Sequence, residues 1–227
     1  MATKKIEPFK GFTPETIKFL NDLEENNYKE WFEDHRKIYE EELIAPFKSL
    51  ITTMSPAMYN IDTSFELRPH RAMSRIYRDT RFSKNKDPYK TGLWITFQPP
   101  GIDWQNYPGY FMELTNKGYV YGMGLYMPKK KVMDNFRDSV EYNSKEFQEI
   151  TQKTVIDRGF DINGDDYKRR LDNNLPEYFQ QWYQKRNVWV GKTKPIGKEL
   201  YSSSFADMLI EDFQALEWLY NFFKEQG

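Results

Sequence analysis

The chain has 227 residues, with 33 Lys and Arg against 34 Asp and Glu, and it contains no cysteine. That length suits one large domain or two small ones around a sizeable core, and the lack of cysteine excludes disulfides, thiolate metal sites, iron–sulfur clusters and a cysteine nucleophile. A net charge of −1 excludes general coating of nucleic acid, so any such binding must be local.

The first residues, MATKKIEPFKGF, hold lysines but no apolar core, which is not the pattern of a secretory signal. No window supplies the roughly 18 consecutive apolar residues of a membrane span. A cytoplasmic protein with no membrane partner is the expectation.

Phe12-Thr13-Pro14 predicts a helix start: Thr13 caps, Pro14 takes the first helical position and Phe12 staples onto Ile17. Ile17, Leu20 and Leu23 share its apolar face, and Asn26-Asn27 ends it. Asn27 followed by Glu30 reads as a capping box for a second helix, with Trp31, Ile38 and Leu43 inward and Phe32, Tyr39 and Ile44 beside them. Pro46 kinks or restarts that helix; Phe47, Leu50, Ile51 and Met54 continue it, and Ser55-Pro56 is expected to stop it.

The middle of the chain reads as strands. Phe65–Leu67 is a short one, Met73–Asp79 a second, and Leu93–Phe97 a third, rich in aromatic and branched residues. Gln98-Pro99-Pro100-Gly101 breaks the pattern. Tyr110–Thr115 and Tyr119–Met127 flank Asn116-Lys117-Gly118, a hairpin signal. Gly122 and Gly124 within the second arm suggest a bulge or a close backbone approach.

Helical spacing returns after Pro128, first in Val132, Phe136 and Val140. A helix capped by Ser144 follows, with Phe147, Ile150 and Val155 inward and Gly159 at its end. Pro176–Arg186 predicts another helix, Val188–Val190 a short strand, and Ser204 caps a last helix carrying Leu209, Phe213, Leu216 and Phe223. Helices at both ends around a run of strands predict an α+β fold in one domain, its antiparallel or mixed sheet coming from the middle of the chain.

The segment Arg68–Lys90 holds eight Lys and Arg against Asp79 and Asp87, about +6 in a chain that totals −1. Arg75, Arg78 and Arg81 recur at every third residue. On a strand such residues alternate faces, so they share one only if the strand ends near Asp79. The loop Ser83–Pro88 then carries Lys84 and Lys86 towards Lys90, a plausible anion cradle, since arginine offers paired donors matched to phosphate. Tyr77, Phe82, Tyr89 and Trp94 interleave with the cations as single-stranded nucleic acid requires, although 17% aromatic content makes some interleaving expected by chance.

Other patterns exclude more than they propose. With only His35 and His70, a histidine metal triad is impossible. His35 lies between Trp31 and Tyr39 and reads as packing or surface; His70 is a weak general acid or base. Asp161–Asp166 has its glycine in the wrong place for a calcium loop and reads as a polar turn. Gly122-Met123-Gly124 lacks the third glycine of a dinucleotide site, and Ser202-Ser203-Ser204 reads as helix capping. No cofactor or metal is expected.

Two stretches also carry a resemblance. Asn27-Tyr28-Lys29-Glu30-Trp31-Phe32, with Arg36 and Tyr39, and Arg75-Ile76-Tyr77-Arg78-Asp79-Thr80-Arg81-Phe82-Ser83-Lys84-Asn85-Lys86-Asp87-Pro88-Tyr89-Lys90 resemble the family catalogued as domain of unknown function 2461, from bacteria and fungi. The Gly122–Tyr126 strand followed by a helix is similar as well. The resemblance implies a single-domain, soluble protein of about this length, with no known cofactor and no activity to carry over.

Three functions therefore stand open. In the first, Arg75, Arg78, Arg81, Lys84, Lys86 and Lys90 bind a phosphate-bearing small molecule or nucleic acid, Asp79 orients the arginines, and Tyr89 adds a hydroxyl or a stacking face. In the second, Asp79 is the acid/base of an enzyme acting on a phosphorylated or other anionic substrate. In the third, the segment is an internal ion network only.

Overall fold

The computed structural model describes residues 7–81, 84–101 and 103–227. Phe82 and Ser83 of the basic motif and the first six residues lie outside them. The fold is α+β: a five-stranded antiparallel sheet in the order β1-β2-β3-β5-β4, with helices from both ends of the chain. The strands are β1 (Gly92–Phe97), β2 (Gly109–Thr115), β3 (Tyr119–Leu125), β4 (Asp161–Asn163) and β5 (Val188–Lys194). Two compact units are recognisable, one formed by residues 1–97, 112–120 and 193–211, the other by 98–111, 121–192 and 212–227.

In the first unit, α1 (Pro14–Glu25) opens as its sequence predicts: Thr13 Oγ1 accepts from Thr16 N at 3.2 Å and Thr16 Oγ1 from Thr13 N at 3.1 Å, a reciprocal cap. Its buried face is Thr16, Phe19, Leu20 and Leu23, while Ile17 is only half-buried. The second predicted helix is broken into α2 (Lys29–Asp34), the single turn α3 (Arg36–Ile38), a π-helical turn at Tyr39–Ile44, and α4 (Ala45–Ile61). Pro46 lacks the N–H that would bond the carbonyl of Glu42. That carbonyl instead accepts from Thr16 Oγ1 at 2.7 Å, which ties α1 to the turn.

Three expectations fail here. Pro56 does not stop α4, because Met54 and Met58 on either side of it are both buried and hold the helix to Ile61. Asn27 does not cap α2; Tyr28 takes the cap position and Asn27 is used elsewhere. Phe65–Leu67 is not a strand, since the chain turns at Asp62, whose Oδ1 accepts from Ser64 N at 2.9 Å and Ser64 Oγ at 2.6 Å.

Met73–Asp79 is not a continuous strand either. After the single turn α5 (Pro69–Ala72), it makes isolated antiparallel bridges, Met73 to Ile95 and Tyr77 to Tyr89. Leu93, Ile95 and Phe97 of β1 are buried, as are Phe47, Leu50, Ile51 and Met54 of α4, which packs against that strand. Trp94 and Glu113 alternate to the other side of their strands, as the two-residue period requires.

The second unit holds α6 (Lys130–Tyr142), α7 (Ser144–Thr151), α8 (Glu177–Tyr183) and α10 (Glu217–Lys224); α9 (Ser204–Ala215) begins in the first unit's residues and ends in the second's. Phe136, Phe147, Trp182, Phe222 and Phe223 form an edge-packed aromatic core around α6 and α7. The predicted last helix is two helices, broken at Leu216, and Ser144 is the first residue of α7 rather than its cap. The supposed polar turn at Asp161–Asn163 is the edge strand β4, pairing Ile162 with Val190. Gly122 and Gly124 do permit a close approach: a Cβ on either would overlap the backbone of β5.

Candidate functional site

The basic segment is folded back as an irregular ribbon. Arg78 N donates to Pro88 O and Lys90 N to Ile76 O, both at 2.8 Å, around the Tyr77–Tyr89 bridge. Strand alternation then separates the side chains. Tyr77 and Tyr89 share one face, where Tyr89 stacks on Phe32 of α2 with centroids 4.1 Å apart. Arg78 and Lys90 fall on the other, where Lys90 lies over Trp94 and feels the charges of Arg78 and Glu113.

The Asn27 side chain also ties the ribbon to the helices. Asn27 Oδ1 accepts from Tyr89 N at 3.0 Å, and Asn27 Nδ2 donates to Tyr89 O at 3.1 Å, so a planar amide pairs both polar atoms of a buried residue. Arg78 Nη2 donates to the same carbonyl at 3.2 Å. Arg36, bound to Glu33 and Tyr77, has its acidity weakened further by both, and burial raises the Tyr39 hydroxyl to about 12.

The predicted cations divide into three groups. Arg81 is paired through Nε and Nη2 to Asp79 at 2.9 and 2.7 Å, and Lys86 Nζ donates to Thr80 O at 2.9 Å, so the loop satisfies these two by itself. Arg75 and Lys84 are exposed and unengaged among the described residues. Arg78 and Lys90 alone are half-buried. Arg78 Nε is fully enclosed and has no hydrogen-bond partner among the described residues. The Lys90 ammonium lies 4.0 Å above the Trp94 ring. Burial, then the charge of Arg78, lower its proton affinity, and Glu113 opposes them.

Glu113 was not a candidate from sequence. It sits mid-strand on β2, half-buried, and accepts no hydrogen bond among the described residues. Burial lifts its carboxyl above the usual range and Lys90 opposes the lift. It borders an open hollow of about 340 Å³ whose rim carries Lys117 and Lys194. Its only sequence signal was a charged residue at an alternate position of a strand.

Asp79 is placed differently. The Arg81 side chain and backbone hold its carboxyl at about 2, ionised and with both oxygens occupied. The Tyr89 ring is buried, so it supports the ribbon rather than facing a ligand, while Tyr77 is 52% exposed. His35 stacks on Trp31 at 4.0 Å and bonds its carbonyl through Nδ1, a packing role, and His70 is exposed on α5.

The two stretches that carry the resemblance therefore meet in space, Asn27, Phe32 and Arg36 against Tyr77 and Tyr89. A family model described as "Conserved hypothetical protein (DUF2461)" matches residues 15–222. The chain belongs to the DUF2461 family. A search of curated proteins gave no match. In this DUF2461 protein no helix among the described residues is long and apolar enough to cross a membrane. No group of three or more His, Cys, Asp or Glu among them could hold a metal ion.

Proposed function

We propose that this protein, in the cytoplasm, binds a phosphate-bearing ligand through the Arg/Lys-rich segment 75–90, with Arg78 and Lys90 as the contacting pair. The observation that carries the reading is the enclosed Nε of Arg78, unpartnered among the described residues, beside an ammonium that Arg78 itself destabilises. A buried donor without an acceptor is costly, and so are two like charges partly withdrawn from water. A phosphate beside the pair would add a countercharge to the guanidinium and reverse the field at Lys90. Arg75 and Lys84, exposed nearby in sequence, steer the anion towards the pair. Arg81, Lys86 and Asp79 hold the loop's shape.

Titration calorimetry with inorganic phosphate, nucleotides and a short oligonucleotide tests this. Binding at low salt that weakens as salt rises, and that is lost in both Arg78→Ala and Lys90→Ala, is the expected result. No binding at low salt ends the reading. A stability loss in Arg78→Ala with no ligand effect leaves the ion-network reading in its place.

Glu113 favours a second reading, an enzyme acting on a phosphorylated or other anionic substrate. Its raised proton affinity at the edge of a hollow suits a general acid or base, a task for which Asp79 is too acidic and too fully occupied. Screening of phosphate and carboxylate esters distinguishes them: activity abolished in Glu113→Gln and retained in Asp79→Asn supports this reading, and the reverse pattern sinks it.

A further inference from the structure

The second unit carries another concentration of positive charge, which the reading above leaves unused. An open depression of about 700 Å³ is lined by Lys130, Lys168, Arg169, Arg170 and Arg186, against the two acids Asp166 and Asp172. Two of the five cations are already paired, Lys130 with Asp134 at 2.6 Å and Arg186 with Asp165 at 2.9 Å. Lys168, Arg169 and Arg170 are exposed, and no hydrogen bond or ion pair engages their side chains among the described residues.

These three are held together although residues 167–176 form neither helix nor strand. Gln184 pins both ends of the run. Its backbone carbonyl accepts from Tyr167 N at 3.0 Å, and its side-chain amide pairs both polar atoms of Leu171, accepting from N at 2.9 Å and donating to O at 3.0 Å. Just before the run, Asp166 bridges to Lys185, with an ion pair of 3.0 Å. The buried Arg137 guanidinium lies 5.1 Å from the Tyr167 ring, itself fixed by Arg137 Nε donating to Tyr183 O at 2.9 Å. Three adjacent like charges are thus carried on a short, pinned bow of chain beside a cavity of ligand size, and no carboxylate among the described residues is ion-paired with them.

The length of the run selects among anions. From Lys168 to Arg170 the backbone spans at most about 7 Å, the reach of two or three linked phosphates. Asp172 follows the run, so a long polyanion continuing past that end meets negative charge. We propose that this depression binds the phosphate chain of a small, multiply phosphorylated molecule, of nucleoside di- or triphosphate size, through Lys168, Arg169 and Arg170. The site is independent of segment 75–90.

Calorimetry at low salt with tripolyphosphate and ATP, against orthophosphate and a short oligonucleotide, tests the proposal. Tripolyphosphate and ATP are expected to bind more tightly than either comparison. The triple variant Lys168→Gln, Arg169→Gln, Arg170→Gln is expected to weaken them at least about tenfold, and Arg78→Ala to leave them unchanged. All three side chains are exposed, so a thermal melt should show the fold intact. If it does not, Arg169→Gln and Arg170→Gln singly are each expected to weaken binding several-fold. Absence of binding, a loss in Arg78→Ala equal to that in the triple variant, a triple or both single variants that bind normally, or tighter binding of the oligonucleotide each overturns the proposal.

Discussion

Both units set two cations against one carboxylate, with opposite outcomes. In the second unit Asp212 is buried and accepts from Lys192 Nζ at 2.7 Å, Arg158 Nη2 at 3.1 Å and Tyr121 Oη at 2.7 Å. In the first, Lys90 feels the charges of both Arg78 and Glu113, but among the described residues Glu113 accepts no hydrogen bond and Arg78 Nε has no partner. Even the lysine settings match, Lys192 lying 4.3 Å from the Phe160 ring and Lys90 4.0 Å from that of Trp94. Burial pushes both carboxyls up. For Asp212 the hydrogen bonds from Lys192 and Tyr121 overcome burial and its acidity increases, whereas Glu113 stays above its ordinary value. The carboxylate is therefore fully hydrogen-bonded in one place and, among the described residues, accepts no hydrogen bond in the other. Hydrogen-bond geometry, rather than composition, separates them.

The contrast breaks first under Asp212→Ala. Removing the carboxylate strands Lys192, which is nearly buried, without its countercharge, and the loss should be about 3–5 kcal/mol in urea denaturation. Next comes Asn27→Ala. It leaves the buried N–H of Tyr89 without an acceptor and its carbonyl with Arg78 alone, so about 2–3 kcal/mol is expected from the same measurement. Glu113→Gln should cost less than about 1 kcal/mol, because no hydrogen bond is lost. A Glu113→Gln loss as large as that of Asp212→Ala would mean that the first cluster is as closed as the second.

The sequence made some of this legible and hid the rest for identifiable reasons. Thr13-Pro14 defined a helix start because capping is local chemistry, and the β2–β3 hairpin followed from Asn116-Lys117-Gly118. Pro56 misled because burial of Met54 and Met58 outweighs one missing hydrogen bond. The basic segment was found, but its division into Arg78 with Lys90 and Arg81 with Asp79 depended on which face each side chain takes once Tyr77 pairs with Tyr89. Asn27 looked like a cap because its spacing to Glu30 fits one; its real partner lies 62 residues away. Glu113 and the bow at Lys168–Arg170 were missed because neither belongs to a motif. One is a lone charge on a strand, and the other a short run whose meaning depends on Gln184 pinning its ends.

The finest test concerns the proton on Lys90. Its affinity is lowered, by burial first and Arg78 second, so the folded chain holds that proton less tightly than the unfolded chain. Between the lowered value and the ordinary one near 10.5, the unfolded state carries more protons, and stability rises with pH across that window. Below that window the penalty is fully present. A titration of the lysine side-chain resonances should place Lys90 below the exposed lysines. Arg78→Ala should move it up and Glu113→Gln further down, since the first removes a repelling charge and the second the attracting one. Bound phosphate should act as Arg78→Ala does, raising Lys90 and flattening the rise of stability with pH. The change is small because the group is only half-buried, but its sign is decisive. Phosphate that binds while leaving Lys90 where it was occupies some other part of the surface, and the incomplete cluster would then be an unrelieved strain in the fold and not a receptor.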